Sequence, residues 1–121
     1  MINSKFETRN PKIETIKNNY ADRDYLVNIE FPEFTCVCPK TGLPDFAAIK
    51  IEYIPDKLIV ELKSLKLYFI SYRNVGIFHE NAVNKILEDF RAACHPRFAK
   101  VIGEFSVRGG IKVTVSAEYK K

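Results

Sequence analysis

No stretch of the 121 residues is apolar over the roughly 18 positions that a membrane-spanning helix requires. The opening residues, Met1-Ile2-Asn3-Ser4-Lys5-Phe6-Glu7, lack the basic start and apolar middle of a secretory leader, so a cytoplasmic protein is expected. Cysteine occurs three times, an odd number with no Cys-x-x-Cys pair. That count removes the basis for a disulfide framework and points to reduced thiols. No Gly-x-Gly-x-x-Gly follows a strand, which argues against a Rossmann site. Internal repeats and low-complexity tracts are missing. The net charge of +4 is mild, and the basic residues are scattered rather than striped, which argues against direct nucleic-acid binding.

What is there is ordinary for a folded domain: 46% hydrophobic and 28% charged residues. The length fits one domain over residues 1–121. Residues 1–22 are polar and broken by Asn10-Pro11. They read as an extended arm with room for a short helix. Tyr25, Val27, Ile29 and Phe31 alternate as one face of a strand, and Pro32 is expected to end it. A second strand runs from Phe46 to Ile54 with Ala47, Ile49, Ile51 and Tyr53 on one side. Pro55-Asp56 turns the chain, and residues 58–62 are expected to return as the hairpin partner.

Ser64 is a good N-cap type, so a helix is expected from there, with Leu65, Tyr68, Phe69 and Tyr72 at helical spacing. A second helix spans residues 80–93, with Val83, Ile86, Leu87, Phe90 and Cys94 as its apolar stripe, and His95-Pro96 stops it. Ala99, Val101, Gly103 and Phe105 alternate, Arg108-Gly109-Gly110 turns, and Ile111, Val113, Val115, Ala117 and Tyr119 alternate again. Hairpins imply an antiparallel sheet, and the helices should cover its apolar face. The fold class is α+β. Neither end strand is defended by proline or inward charge, so pairing with a neighbouring subunit into a ring is a way to close the sheet.

Two segments carry chemistry. Cys38-Pro39-Lys40-Thr41-Gly42-Leu43-Pro44-Asp45 holds a cysteine and an aspartate at the ends of one punctuated loop. A cation beside Cys38 favours its thiolate, and a thiolate can act as a covalent nucleophile. The alternative is a small buried apolar residue. Cys36, two residues earlier, is less well placed, and Cys94 fits core packing. Asp45 lies between Pro44 and Phe46. That apolar bracket would keep some of it protonated and able to act as an acid, unless it merely solvates a turn. His79-Glu80 opens the second helix. Glu80 is either an acid favoured by the helix dipole or a carboxylate that accepts two N–H bonds from a guanine-like edge, with His79 ordering that site or shuttling a proton. Lys63, Ser64 and Lys66 combine ammonium groups, a hydroxyl and a helix start, which suits phosphate or else a solvated helix end. A zinc reading would need Cys36, Cys38, His79 and His95, whose spacing matches no metal motif.

Taken in order, Cys-Pro-Lys-Thr-Gly-x-Pro-Asp from Cys38, Glu-x-Lys-Ser-Leu-Lys-x-Tyr from Glu61, Phe78-His79-Glu80 and Arg108-Gly109-Gly110 resemble the NADPH-dependent 7-cyano-7-deazaguanine reductases. These are the nitrile reductases of queuosine biosynthesis, here in the single-module form. The match runs from about Phe34 to Gly110. The resemblance implies a tunnelling fold, a four-stranded antiparallel sheet with two helices on one face. It implies subunits joined into rings, two pentamers stacked as a decamer, and active sites between subunits. It implies that Cys38 attacks the nitrile to give a thioimide, that Asp45 protonates nitrogen, and that NADPH supplies hydride. Val60, Glu61, Leu62, His79 and Glu80 would bind the substrate 7-cyano-7-deazaguanine. Lys63, Ser64 and Lys66 would hold the cofactor, and no metal is required. Two competing readings are a zinc-dependent GTP cyclohydrolase-like enzyme on the same fold and a non-catalytic purine-binding ring.

Overall fold

The computed structural model describes residues 10–121, so the part of the expected arm before Asn10 lies outside the described residues. In chain order the elements are β1 (Thr15–Lys17), β2 (Val27–Val37), β3 (Pro44–Ile54), β4 (Leu58–Val60), α1 (Leu62–Ile70), α2 (His79–Cys94), β5 (Phe98–Phe105) and β6 (Thr114–Lys120). The main sheet has the order β2-β3-β5-β6 and is antiparallel throughout, while β1 and β4 form a separate two-stranded ribbon. The α+β class and the four-stranded sheet expected from the sequence are both found.

Alternation builds the core. Ala47, Ile49, Ile51 and Tyr53 of β3 share a buried face with Ala99, Val101 and Phe105 of β5. Both helices lie on that face. Phe34 of β2 meets Phe69 of α1 and Tyr72 just beyond it, and Tyr53 packs edge-on against Phe90 of α2 at 4.8 Å. Gly103 lets α2 approach β5. A Cβ there would stand 2.6 Å from Cγ2 of Val83, too close without a shift of the helix.

Four expectations are corrected. Pro32 does not end β2. The strand runs on to Val37 through a bulge between Phe31 and Phe34, and Pro32 is tolerated because β2 is an edge strand whose outward N–H pairs with nothing in the sheet. Residues 58–62 are not the hairpin partner of β3. Both edges of β3 are taken, by β2 and β5, so β4 pairs with β1 instead. The first helix starts two residues before Ser64, and Glu61 is its N-cap. The last strand begins at Thr114, with Ile111 left exposed in the preceding turn. The second helix matches its expected span to within a residue at each end, and His95 closes it in the left-handed conformation (φ 47°). Among the described residues, no helix is long and apolar enough to cross a membrane.

Candidate active site

The β2–β3 hairpin delivers Cys38. Its loop is closed by the Cys38 N–H donating to the Leu43 carbonyl (2.9 Å) and the Gly42 N–H donating to the Cys38 carbonyl (2.8 Å). Just before it, Val37 is bonded on both sides to the segment leading into α2. Its N–H donates to the Val75 carbonyl (2.9 Å), and its carbonyl accepts from the Ile77 N–H (3.0 Å). Those two bonds fix the Cys38 loop against Phe78, His79 and Glu80.

The three thiols diverge in acidity. Cys38 is half-buried, and its pKa is lowered by the Thr41 hydroxyl, by the backbone N–H groups of Thr41 and Lys40, and by the charge of Arg108. Cys36 is fully buried. Desolvation pushes it up to about 12, helped by the charges of Asp45 and Cys38. Burial pushes Cys94 up to about 12 as well. Of the three, only the Cys38 thiol is both reachable and shifted toward its thiolate.

Asp45 is 6% exposed and points inward, on the same side as Ala47. The expected apolar bracket does not form. Phe46 faces the other way, 54% exposed, and the partners of Asp45 come from distant segments. His79 Nε2 lies 3.1 Å from Oδ2, and Nη1 of Arg108 donates to Oδ1. The His79 ring is stacked on Phe105 at 3.8 Å and 10° between planes, which fixes the imidazole toward Asp45. Glu80 stands exposed in the first turn of α2, and among the described residues no protein donor reaches its carboxylate. Cys38, Thr41, Asp45, Phe78, His79, Glu80 and Arg108 all line one cleft of about 370 Å³. Cys38, Asp45, His79 and Glu80 were read from the sequence as site residues and are brought together here. Thr41, Phe105 and Arg108 were not read as such. The Arg108-Gly109-Gly110 turn was the available signal for the last.

The second predicted set lies elsewhere on the protomer. Val60 and Leu62 line a smaller hollow with Tyr25 and Val27. Glu61, Lys63 and Ser64 line another, of about 350 Å³, with Lys12 and Glu14. The Glu61 carboxylate caps α1, accepting from the N–H groups of Lys63 (2.9 Å) and Ser64 (2.7 Å), and these bonds hold its pKa below the usual value. The Ser64 hydroxyl is buried, accepting from the Glu14 N–H and donating to the Glu61 carbonyl, both at 2.8 Å. It braces the residue before β1 against the start of α1. Lys63 and Lys66 are exposed, with no carboxylate within ion-pair distance among the described residues. The four-ligand zinc set does not converge, because His79 begins the helix that His95 caps, about 24 Å apart along the axis.

The family model described as QueF-like protein matches residues 44–121. A protein of Syntrophus aciditrophicus (strain SB) named NADPH-dependent 7-cyano-7-deazaguanine reductase is 63% identical over 110 residues, covering 91% of this chain and 79% of that protein. One of the same name from Nitrosococcus oceani is 56% identical over 112 residues, covering 93% and 87%. Among solved structures, the apo form of the archaeosine synthase QueF-Like superposes with a TM-score of 0.73 at 32% identity, covering 77% of this chain and 91% of that one.

Proposed function

Since the chain belongs to the QueF-like family, we propose that it is an NADPH-dependent 7-cyano-7-deazaguanine reductase, converting the nitrile to the aminomethyl group in queuosine biosynthesis. The observation that carries the reading is the cleft itself, where an acidified, accessible thiol shares one wall with a buried carboxylate held from two sides. A nitrile is a poor hydride acceptor. Addition of the Cys38 thiol across it forms one C–S bond and moves the thiol proton to nitrogen, giving a thioimide whose C=N is polarised on protonation. Asp45 is the group that hands that proton on, with His79 at 3.1 Å to resupply it. Glu80, whose carboxylate lacks a protein donor among the described residues, accepts the N–H edge of the deazaguanine.

Two NADPH molecules, bound in turn, would supply one hydride each; between the two reductions the C–S bond breaks and returns the Cys38 thiol, and the second hydride completes the primary amine. The exposed ammonium groups of Lys63 and Lys66, three positions apart on one side of α1, fit its phosphates. Within one protomer the 60–66 segment and the Cys38 cleft share no lining residue. That separation, with the outer edges of β6 and of β2 up to Cys36 unpaired among the described residues, supports a ring in which a neighbouring subunit brings Val60, Leu62 and the backbone at Glu61 to complete the pocket. The single module acts as such a ring, two pentamers stacked, in the cytoplasm. Enclosure between subunits also shields the reactive C=N from water.

The test is intact mass spectrometry of the assembled, reduced protein mixed with 7-cyano-7-deazaguanine without NADPH. A mass increase equal to the nitrile, mapped to Cys38 and missing in Cys38→Ala, is expected. An unmodified Cys38 under saturating nitrile would remove the covalent mechanism.

A further inference from the structure

We infer that Arg108 is a positioning residue of this reaction: its guanidinium ties the Asp45 carboxylate to the Thr41 hydroxyl and so sets the spacing between the acid and the nucleophile loop. The inference takes its chemistry from the reductase reading, and its geometry stands apart from it.

The turn that carries Arg108 is rigid. The Arg108 N–H donates to the Ile111 carbonyl at 3.0 Å, and the Ile111 N–H donates back at 3.1 Å. Between them Gly109 and Gly110 both have positive φ, 60° and 82°, the two left-handed positions of a primed two-residue hairpin turn, where a side chain would be strained. The base of the turn is fastened to β3 by the Ser106 N–H on the Phe46 carbonyl (2.9 Å), one residue from Asp45. Arg108 therefore starts from a fixed point.

The guanidinium is a planar fork of donors. Nη1 donates to Asp45 Oδ1, and Nη2 donates to Thr41 Oγ1 at 3.1 Å. The other oxygen of Asp45 faces His79. Thr41 stands in the loop of Cys38, and its hydroxyl lowers the pKa of that thiol. One chain of contacts thus runs Asp45–Arg108–Thr41 and ends in the loop that carries Cys38. The charged groups lining the cleft are Asp45 from β3, His79 and Glu80 from α2, and Arg108 from the turn, so Arg108 is the one permanent cation there among the described residues. A lysine supplies the charge but not the fork.

The experiment uses the full-length assembled protein as wild type, Arg108→Gln, Arg108→Lys and Thr41→Val. It measures the pH profile of Cys38 alkylation by iodoacetamide without ligands, and kcat and KM with nitrile and NADPH. Arg108→Gln should move the alkylation midpoint upward and lower kcat at least tenfold, with both KM values within about threefold. Arg108→Lys should hold the midpoint near wild type yet lose most of kcat, because charge survives and spacing does not. Thr41→Val, which changes no charge and stands in if Arg108→Gln does not fold, should raise the midpoint and lower kcat. Alkylation profiles that superimpose on wild type for both Arg108→Gln and Thr41→Val would overturn the proposal. So would a raised KM for NADPH at unchanged kcat, which would make Arg108 a phosphate contact. A wild type that reduces no nitrile would instead overturn the reductase reading, while the alkylation profiles would still judge the linkage.

Discussion

The 38–45 loop and the start of α1 hold similar chemistry, a carboxylate, a hydroxyl and nearby cations, yet the fold uses them oppositely. At the start of α1 the polar groups serve the chain. Glu61 is committed to two helix N–H groups, and Ser64 to Glu14 and Glu61. Around the loop, the Thr41 hydroxyl and neighbouring backbone N–H groups favour the thiolate of Cys38, and Glu80 is left without a donor among the described residues. Residue type names a capacity, and the surrounding bonds decide whether it is spent on stability or kept for a ligand. Cys36 and Cys38 repeat the lesson two residues apart: the same side chain is inert in the core and activated in the loop.

The difference breaks most visibly at Asp45. Asp45→Asn keeps the shape and removes the transferable proton. We expect a 10²–10⁴-fold fall in kcat, roughly the range of general acid catalysis. Covalent trapping of the nitrile should slow as well, while overall secondary structure is kept. Stopped-flow adduct formation and steady-state NADPH consumption read both, and a rate near wild type would refute the acid role.

A smaller effect is expected at Glu80. A hydrogen bond to a charged group is worth about 1.5–3 kcal/mol, so Glu80→Ala should weaken nitrile binding by about tenfold or more. Because no donor among the described residues reaches that carboxylate, and only the α2 dipole gains from it, Tm should fall by a few degrees at most. Calorimetric titration into a Cys38→Ala background separates binding from adduct formation. An unchanged Kd would show that the base-reading carboxylate is elsewhere.

Much of this was legible in sequence because local pattern and fold agree. The alternation of β3, β5 and β6 and the stripe of α2 carry their own burial, and Cys38, Asp45 and His79 sit at a loop, a strand start and a helix start that punctuation marks in the chain. What was not legible depends on partners far along the chain. Pro32 stops a central strand but not a bulged edge strand, and only the sheet order shows that β2 is an edge. Strand β4 looked like a hairpin partner until both edges of β3 proved occupied. Ser64 is the commoner cap type, so Glu61 was not suspected of that role. The surroundings of Asp45 were misjudged from Pro44 and Phe46, because a strand sends adjacent side chains to opposite faces, and its real neighbours are 34 and 63 positions away.

The finest test concerns Glu61. If its carboxylate is spent on the helix start, Glu61→Ala should lower Tm by about 2–6 °C, the usual scale for losing an N-cap in a domain of this size. Protein concentration must be held fixed, since assembly also shifts Tm. The pH dependence gives the sign. The folded-state pKa of Glu61 lies below its ordinary value, so the cap contributes fully above that ordinary value and is lost as pH falls through the folded one. The gap in Tm between wild type and Glu61→Ala should therefore be widest near neutrality and close in acid. A gap that is absent at neutral pH, or that grows in acid, would mean the carboxylate is not held by the helix. Glu61 would then belong, with Glu80, among the groups kept for a ligand.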